Sequence, residues 1–211
     1  MSTLPHRIFV TGTDTDAGKT VISALLTLGL KAHYWKPVQS GCEIDSDTKT
    51  VQELTGLSDE HFLPESYRLT EPLSPHEAAV RDGVRIDLDT IQLPTSFTSL
   101  PAETPLVVEG AGGILVPLAP GVLTIDLVKK LELPALVVAR SGLGTINHTL
   151  LTLHALRASD IPIAGVVLNG PRHPENAEAI EEYGQVPVLA QVEQLELSPH
   201  ALAAAFANAF A

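Results

Sequence analysis

Short, wholly apolar runs alternate with amphipathic stretches along this chain, and each kind has its own period. Residues 7–10 (RIFV) read as a first strand and 20–30 (TVISALLTLGL) as the helix that follows. Residues 32–36 (AHYWK) form a second strand closed by Pro37. Further on, 106–108 (LVV), 135–138 (ALVV), 163–168 (IAGVVL) and 186–189 (VPVL) are rich in β-branched and aliphatic residues, the pattern of strands buried on both faces. Helical patterns fill the gaps at 125–131, 146–158 and 174–183. Ser46 is placed to cap a helix reaching about Thr55, and Ser74-Pro75 pairs a capping serine with a first-turn proline. Ser198-Pro199 opens a last, alanine-rich helix expected at the sheet edge.

Strand and helix in alternation imply an α/β fold with a mainly parallel central sheet and helices on both faces. At 211 residues, one domain spanning 1–211 is the economical reading. The least regular stretch, 38–105, should supply loops over the C-terminal edge of the sheet, where such folds bind ligands.

Composition mainly excludes. Thirteen basic residues face 25 acidic ones, a formal charge of −12, which argues against a nucleic-acid or anionic-membrane partner. No apolar run reaches the ~18 residues of a membrane span. The opening MSTLPHRIFV lacks a signal-peptide pattern and Cys42 is the sole cysteine, so a cytoplasmic location is expected. The eight histidines show no metal-ligand spacing, and neither a G-x-S-x-G elbow nor a motif around Cys42 offers a covalent nucleophile.

The chemistry concentrates in TGTDTDAGKT, residues 11–20. Gly18-Lys19-Thr20 between strand and helix is the end of a phosphate loop. Backbone N–H groups and a helix N-terminus point at phosphate oxygens, the lysine adds charge, and the hydroxyl holds magnesium. Five residues rather than four separate Gly12 from Gly18, and two acids, Asp14 and Asp16, stand inside the loop. Given that loop, the fold expected is the three-layer P-loop NTPase-like kind. Lys36 ends the second strand on the same edge, where it reads as a second cation for a phosphoryl group or as a lysine snorkelling from a core strand. Glu109 ends the strand of VVEGAGG and reads as a magnesium carboxylate or as a solvated strand cap. Asp45 and Asp47 are ambiguous alone: they read as simple helix-starting acids, and matter to the site only if the fold brings them over the magnesium. Gly144 to Asn147 could bind a carboxylate on free helix N–H groups or be an ordinary capping turn, and Asn169 could read a base or simply close a turn.

GTDTDAGKT, WKPVQSG, the acid of SDT, EPLSPH, VEGAGG, LGTINHTLLT and VVLNG occur in this order up to Asn169, and together they resemble the dethiobiotin synthetase family. That resemblance implies an ATP- and magnesium-dependent cyclo-ligase joining CO2 to 7,8-diaminononanoate through a carbamate and a carbamic–phosphoric anhydride. It further implies a homodimer with a shared site. By position it assigns Lys19 and Lys36 to catalysis. Asp16, Ala17, Gly18, Lys19, Thr20, Val21, Asp47, Glu109, Gly110, Ala111, Gly112 and Asn169 go to the nucleotide. Thr20, Asp47 and Glu109 go to the metal. Thr15, Asp16 and Ser40 would contact substrate, while Thr145 and Asn147 would receive its carboxylate from the neighbouring subunit. Two departures stand out: Asp16 occupies a place where the family often has glutamate, and residues 192–194 lack the family's proline. A partitioning-type ATPase would carry a lysine where this chain has Asp14, and a dead nucleotide-binding module would not keep Lys19, Thr20, Lys36 and Glu109 intact.

Overall fold

The computed structural model describes residues 4–42 and 46–210, so Asp45 lies outside the described residues. The first half runs β1 (Arg7–Gly12), α1 (Lys19–Leu30), β2 (His33–Trp35), β3 (Val38–Ser40), α2 (Asp47–Thr55), β4 (Phe62–Leu63), β5 (Tyr67–Leu69), α3 (Pro75–Arg81) and α4 (Thr95–Thr98). It continues through β6 (Leu106–Gly113), β7 (Pro117–Ala119), β8 (Val122–Leu123), α5 (Thr124–Leu131), β9 (Ala135–Arg140) and α6 (Thr145–Ala158). The chain then forms β10 (Ile163–Asn169), α7 (Pro174–Gly184), β11 (Val188–Val192) and α8 (Pro199–Phe210).

Seven strands form one sheet in the order β11-β10-β9-β1-β6-β2-β4, with every neighbouring pair parallel. The two-residue period of each strand divides the core. Ile8, Val10, Tyr34, Val107, Leu136 and Val138 face α1, α2 and α8. Phe9, Trp35, Val108, Val137 and Leu168 face α3, α5, α6 and α7. Helices therefore cover both faces, and three layers result. Because β1 lies between β6 and β9, the loop after it opens where the strand order reverses, at the C-terminal edge. Among the described residues no helix is long and apolar enough to cross a membrane.

Several elements differ from the sequence reading, each for a local reason. The last strand starts at Val188 rather than 186, because Pro187 has no N–H for the ladder; its carbonyl still accepts from Val166 N at 2.9 Å. Ser46 and Ser74 do precede α2 and α3, but neither side chain caps the helix. Ser46 Oγ turns to Glu65 Oε1 and Ser74 Oγ to His76 Nδ1, while Gln39 Oε1 accepts from Asp47 N at 3.0 Å. The stretch 38–105 is not loop alone: β4 is an edge strand of the main sheet, and β3 pairs with β5 in a separate parallel pair.

The last helix, α8, does more than flank the edge. It crosses α1 and α2 as well as β11, burying Leu202 and Phe210. Gly29 makes that crossing possible, since a Cβ there would sit 2.1 Å from Phe206 Cγ, and the whole ring would have to leave its place to relieve the clash. Gly29→Ala should therefore destabilise the protein by about 1–3 kcal/mol in urea unfolding, as overpacking does. An ordinary helix-interior glycine would instead gain roughly 0.5–1 kcal/mol from the same change.

Candidate functional site

The loop between β1 and α1 is held from three sides. Gly18 adopts φ 96°, ψ 25°, and a Cβ there would fall 2.0 Å from Asn169 Nδ2, so only glycine fits. Asn169, at the end of β10, donates from that nitrogen to Ala17 O at 3.1 Å. Asp14 accepts from Thr15 N at 2.7 Å through Oδ1 and from Arg140 Nη2 at 2.9 Å through Oδ2. Lys19 folds back over the loop and donates to Asp14 O at 3.2 Å and Thr15 O at 2.9 Å. Burial, with the charge of Lys36 acting in the same sense, lowers the pKa of Lys19.

Beside the loop lies a buried cluster of charge. Lys36 Nζ sits 2.7 Å from Asp47 Oδ2 and 2.9 Å from Glu109 Oε1. Thr20 Oγ1 donates to Asp47 Oδ1 at 2.7 Å and approaches Glu109 Oε1 at 3.2 Å. Tyr34 donates its phenol proton to Glu109 Oε2 at 3.0 Å. Burial works to discharge Lys36, but the carboxylates of Glu109 and Asp47 outweigh it and raise its pKa. Burial likewise opposes the charge on Asp47; the ammonium of Lys36, with hydrogen bonds from Lys36, Thr20 and Gln39, holds that carboxyl below its usual range. Burial, then the charge of Glu109, pushes Tyr34 well above the ordinary phenol value.

The strand period explains the meeting. Tyr34 and Val107 are register partners on the α1 face, so residues two further along, Lys36 and Glu109, emerge side by side on that same face. Thr20 is the second residue of α1, directly opposite. One hydroxyl and two carboxylate oxygens thus converge, a hard oxygen set that suits a magnesium ion. No group of three His, Cys, Asp or Glu that could hold a metal occurs among the described residues. The protein offers a partial shell rather than a cage, as magnesium sites completed by phosphates do.

A cavity of about 450 Å³ gathers Thr15, Asp16, Lys19, Thr20, Lys36, Ser40, Asp47, Glu109, Ala111 and Gly112 from the sequence reading. Asp16 is exposed there, with no hydrogen bond or ion pair among the described residues. Ala17 is buried and Val21 half-buried behind the loop, and Gly110 lies over the ring of Phe9. Thr145 is not in this cavity. It lines a second cleft of about 390 Å³ on the far side of the loop, with Arg140, Ser141 and Asn169. Asn147 is exposed and lines neither. Motif reading passed over Tyr34, Gln39 and Arg140. Gln39 stood inside WKPVQSG and could have been flagged; Tyr34 and Arg140 find their partners 75 and 126 residues away, beyond any local pattern.

A family model described as an AAA domain matches residues 6–200. An ATP-dependent dethiobiotin synthetase of Paramagnetospirillum magneticum is 51% identical over 188 residues, covering 89% of this chain and 88% of that protein. A biotin biosynthesis bifunctional protein of Bordetella avium is 48% identical over 92% of this chain, which spans 40% of its length. The solved structure of a ParA family ATPase from Chlorobium tepidum superposes with a TM-score of 0.56 over 97% of this chain and 90% of that one, at 13% identity, a likeness of fold alone. Identity near one half along almost the whole length, joined to a phosphate loop facing a lysine between two carboxylates, settles the affiliation: the chain belongs to the dethiobiotin synthetase family.

Proposed function

We propose that the chain closes the ureido ring of dethiobiotin from 7,8-diaminononanoate and CO2, converting ATP to ADP and phosphate, in biotin biosynthesis. The observation that carries this reading is Lys36, a buried ammonium held between Asp47 and Glu109 at the mouth of a phosphate loop. It can follow charge from those carboxylates to a phosphoryl group in transit.

One amine of the substrate adds to CO2 and loses a proton, giving a carbamate. A carbamate oxygen attacks the γ-phosphorus, the bond to the β–γ bridging oxygen breaks, and ADP departs. The second amine attacks the carbonyl carbon of the resulting anhydride, the carbon–oxygen bond to phosphate breaks, a proton is lost and the ring closes. Lys19 and the N–H groups of residues 16–21 hold the β- and γ-phosphates. Magnesium, when bound by Thr20, Asp47 and Glu109, supplies charge neutralisation at those phosphates. Lys36 stabilises the carbamate and the phosphoryl charge as it develops.

Asp16, exposed in the cavity, orients the cationic end of the diamine without engaging the nucleotide. Ser40 and Thr15 line the same cavity and contact the substrate. Asn169 commits its Nδ2 to Ala17, which leaves Oδ1 for the purine. Thr145 and Asn147 receive the carboxylate of a substrate held by the neighbouring subunit in a cytoplasmic homodimer. Supporting that pairing, Leu143 just before α6 is 107% exposed and Leu151 in its middle 62% exposed, apolar surface that a second copy would cover.

The purified protein, given magnesium, ATP, bicarbonate and the diamine with each omitted in turn, should release ADP only with the full set and yield dethiobiotin by mass spectrometry. ADP release indifferent to the diamine would point instead to a partner-driven nucleotide switch. Lys36→Gln should lower kcat about 100-fold or more while nucleotide still binds, and full turnover would remove the assignment. Asp16→Asn should raise the apparent KM for the diamine and leave that for ATP near its starting value; an unchanged diamine KM would show that Asp16 only shapes the loop.

A further inference from the structure

Tyr34 lines neither of the two cavities described above, yet its hydroxyl, wholly buried, ends on a site carboxylate. The two oxygens of Glu109 are consequently different. Oε1 faces the cavity and meets Lys36 and Thr20, whereas Oε2 points into the core and accepts the phenol proton of Tyr34 at 3.0 Å. The geometry points to Tyr34 as a specificity-determining residue: by occupying Oε2 it confines Glu109 to one oxygen toward a metal ion and so selects magnesium over calcium.

Coordination chemistry gives the reason. Calcium takes six to eight oxygens and favours carboxylates that bind through both oxygens, whereas magnesium is octahedral and takes single oxygens with retained waters and phosphates. A glutamate whose second oxygen is held toward the core by a buried donor meets the second demand and frustrates the first. A buried tyrosine needs some acceptor in any fold. Here the acceptor is the residue two positions beyond its own register partner, Val107, so the phenol leans along the strand to reach it. The side chain of Glu109 is completely buried, so solvent offers no replacement donor for Oε2.

This inference rests on Glu109 lying at the magnesium site. The test is calorimetric binding of the magnesium and calcium complexes of the nonhydrolysable imido analogue of ATP to the full chain, unaltered and as Tyr34→Phe and Glu109→Gln. Tyr34→Phe should weaken the magnesium complex about tenfold or more, the usual effect of losing a residue that orients a ligand. It should also narrow the magnesium-to-calcium preference by a similar factor. A preference unchanged in Tyr34→Phe, while Glu109→Gln loses it, overturns the role of Tyr34 and leaves the metal assignment standing. Glu109→Gln binding both complexes like the unaltered protein overturns both. A second measurement needs no Tyr34 variant. The infrared difference between the unaltered protein and Glu109→Gln, each loaded with either complex, should give a single-oxygen carboxylate signature, and a two-oxygen signature overturns the inference.

Discussion

Everything near the phosphate loop depends on one ammonium. Lys36 is buried between the fully buried side chain of Glu109 and the part-exposed Asp47, and its charge lowers the cost of holding two carboxylates together there. The desolvation cost of three ions is offset only because each also has further partners. Thr20 donates to the carboxylate of Asp47 while Gln39 fixes its backbone by accepting from its N–H, and Thr20 and Tyr34 serve Glu109. The arrangement is thus a network, and removing Lys36 would leave its two carboxylates without their shared counter-charge. The same burial that makes it costly makes it strong, because little solvent remains to screen it.

The sheet is what makes the network cheap to position. Adjacent parallel strands in fixed register carry Lys36 and Glu109 to the same height on the same face. The crossing of α1 over that face brings Thr20 to meet them. No special backbone is needed at either charged residue. The loop does need it: Gly18 takes a conformation closed to other residues, and Asn169 fills the space behind it.

Much of this could be read from the chain. LVV, ALVV and IAGVVL announced buried parallel strands because both faces are covered, and GKT between strand and helix announced the loop. What stayed hidden had physical causes. The strands β3, β4 and β5 are two or three residues long, too short for any period to show. The capping serines looked convincing, yet tertiary partners claimed their hydroxyls. Asp47 is ambiguous in the sequence, and only the fold shows that Lys36 lies 2.7 Å from it. Tyr34 looked like an ordinary strand residue and Arg140 lay just past the 135–138 run, because nothing local shows that their partners are Glu109 and Asp14.

The tethering of the loop has a consequence for binding thermodynamics. Arg140 holds Asp14, Asn169 holds Ala17, and Lys19 already spans the loop to Asp14 and Thr15. The conformational entropy of residues 14–19 is therefore lost when the protein folds, not when a polyanion arrives. Ligand binding then needs little ordering of the backbone, and its free energy remains available for the reacting groups. The exposed Arg140–Asp14 pair is the one tether open to screening by salt. Rising ionic strength thus loosens the loop from its outer side first, while the lysine between its two carboxylates, deep in the sheet edge, hardly senses the change.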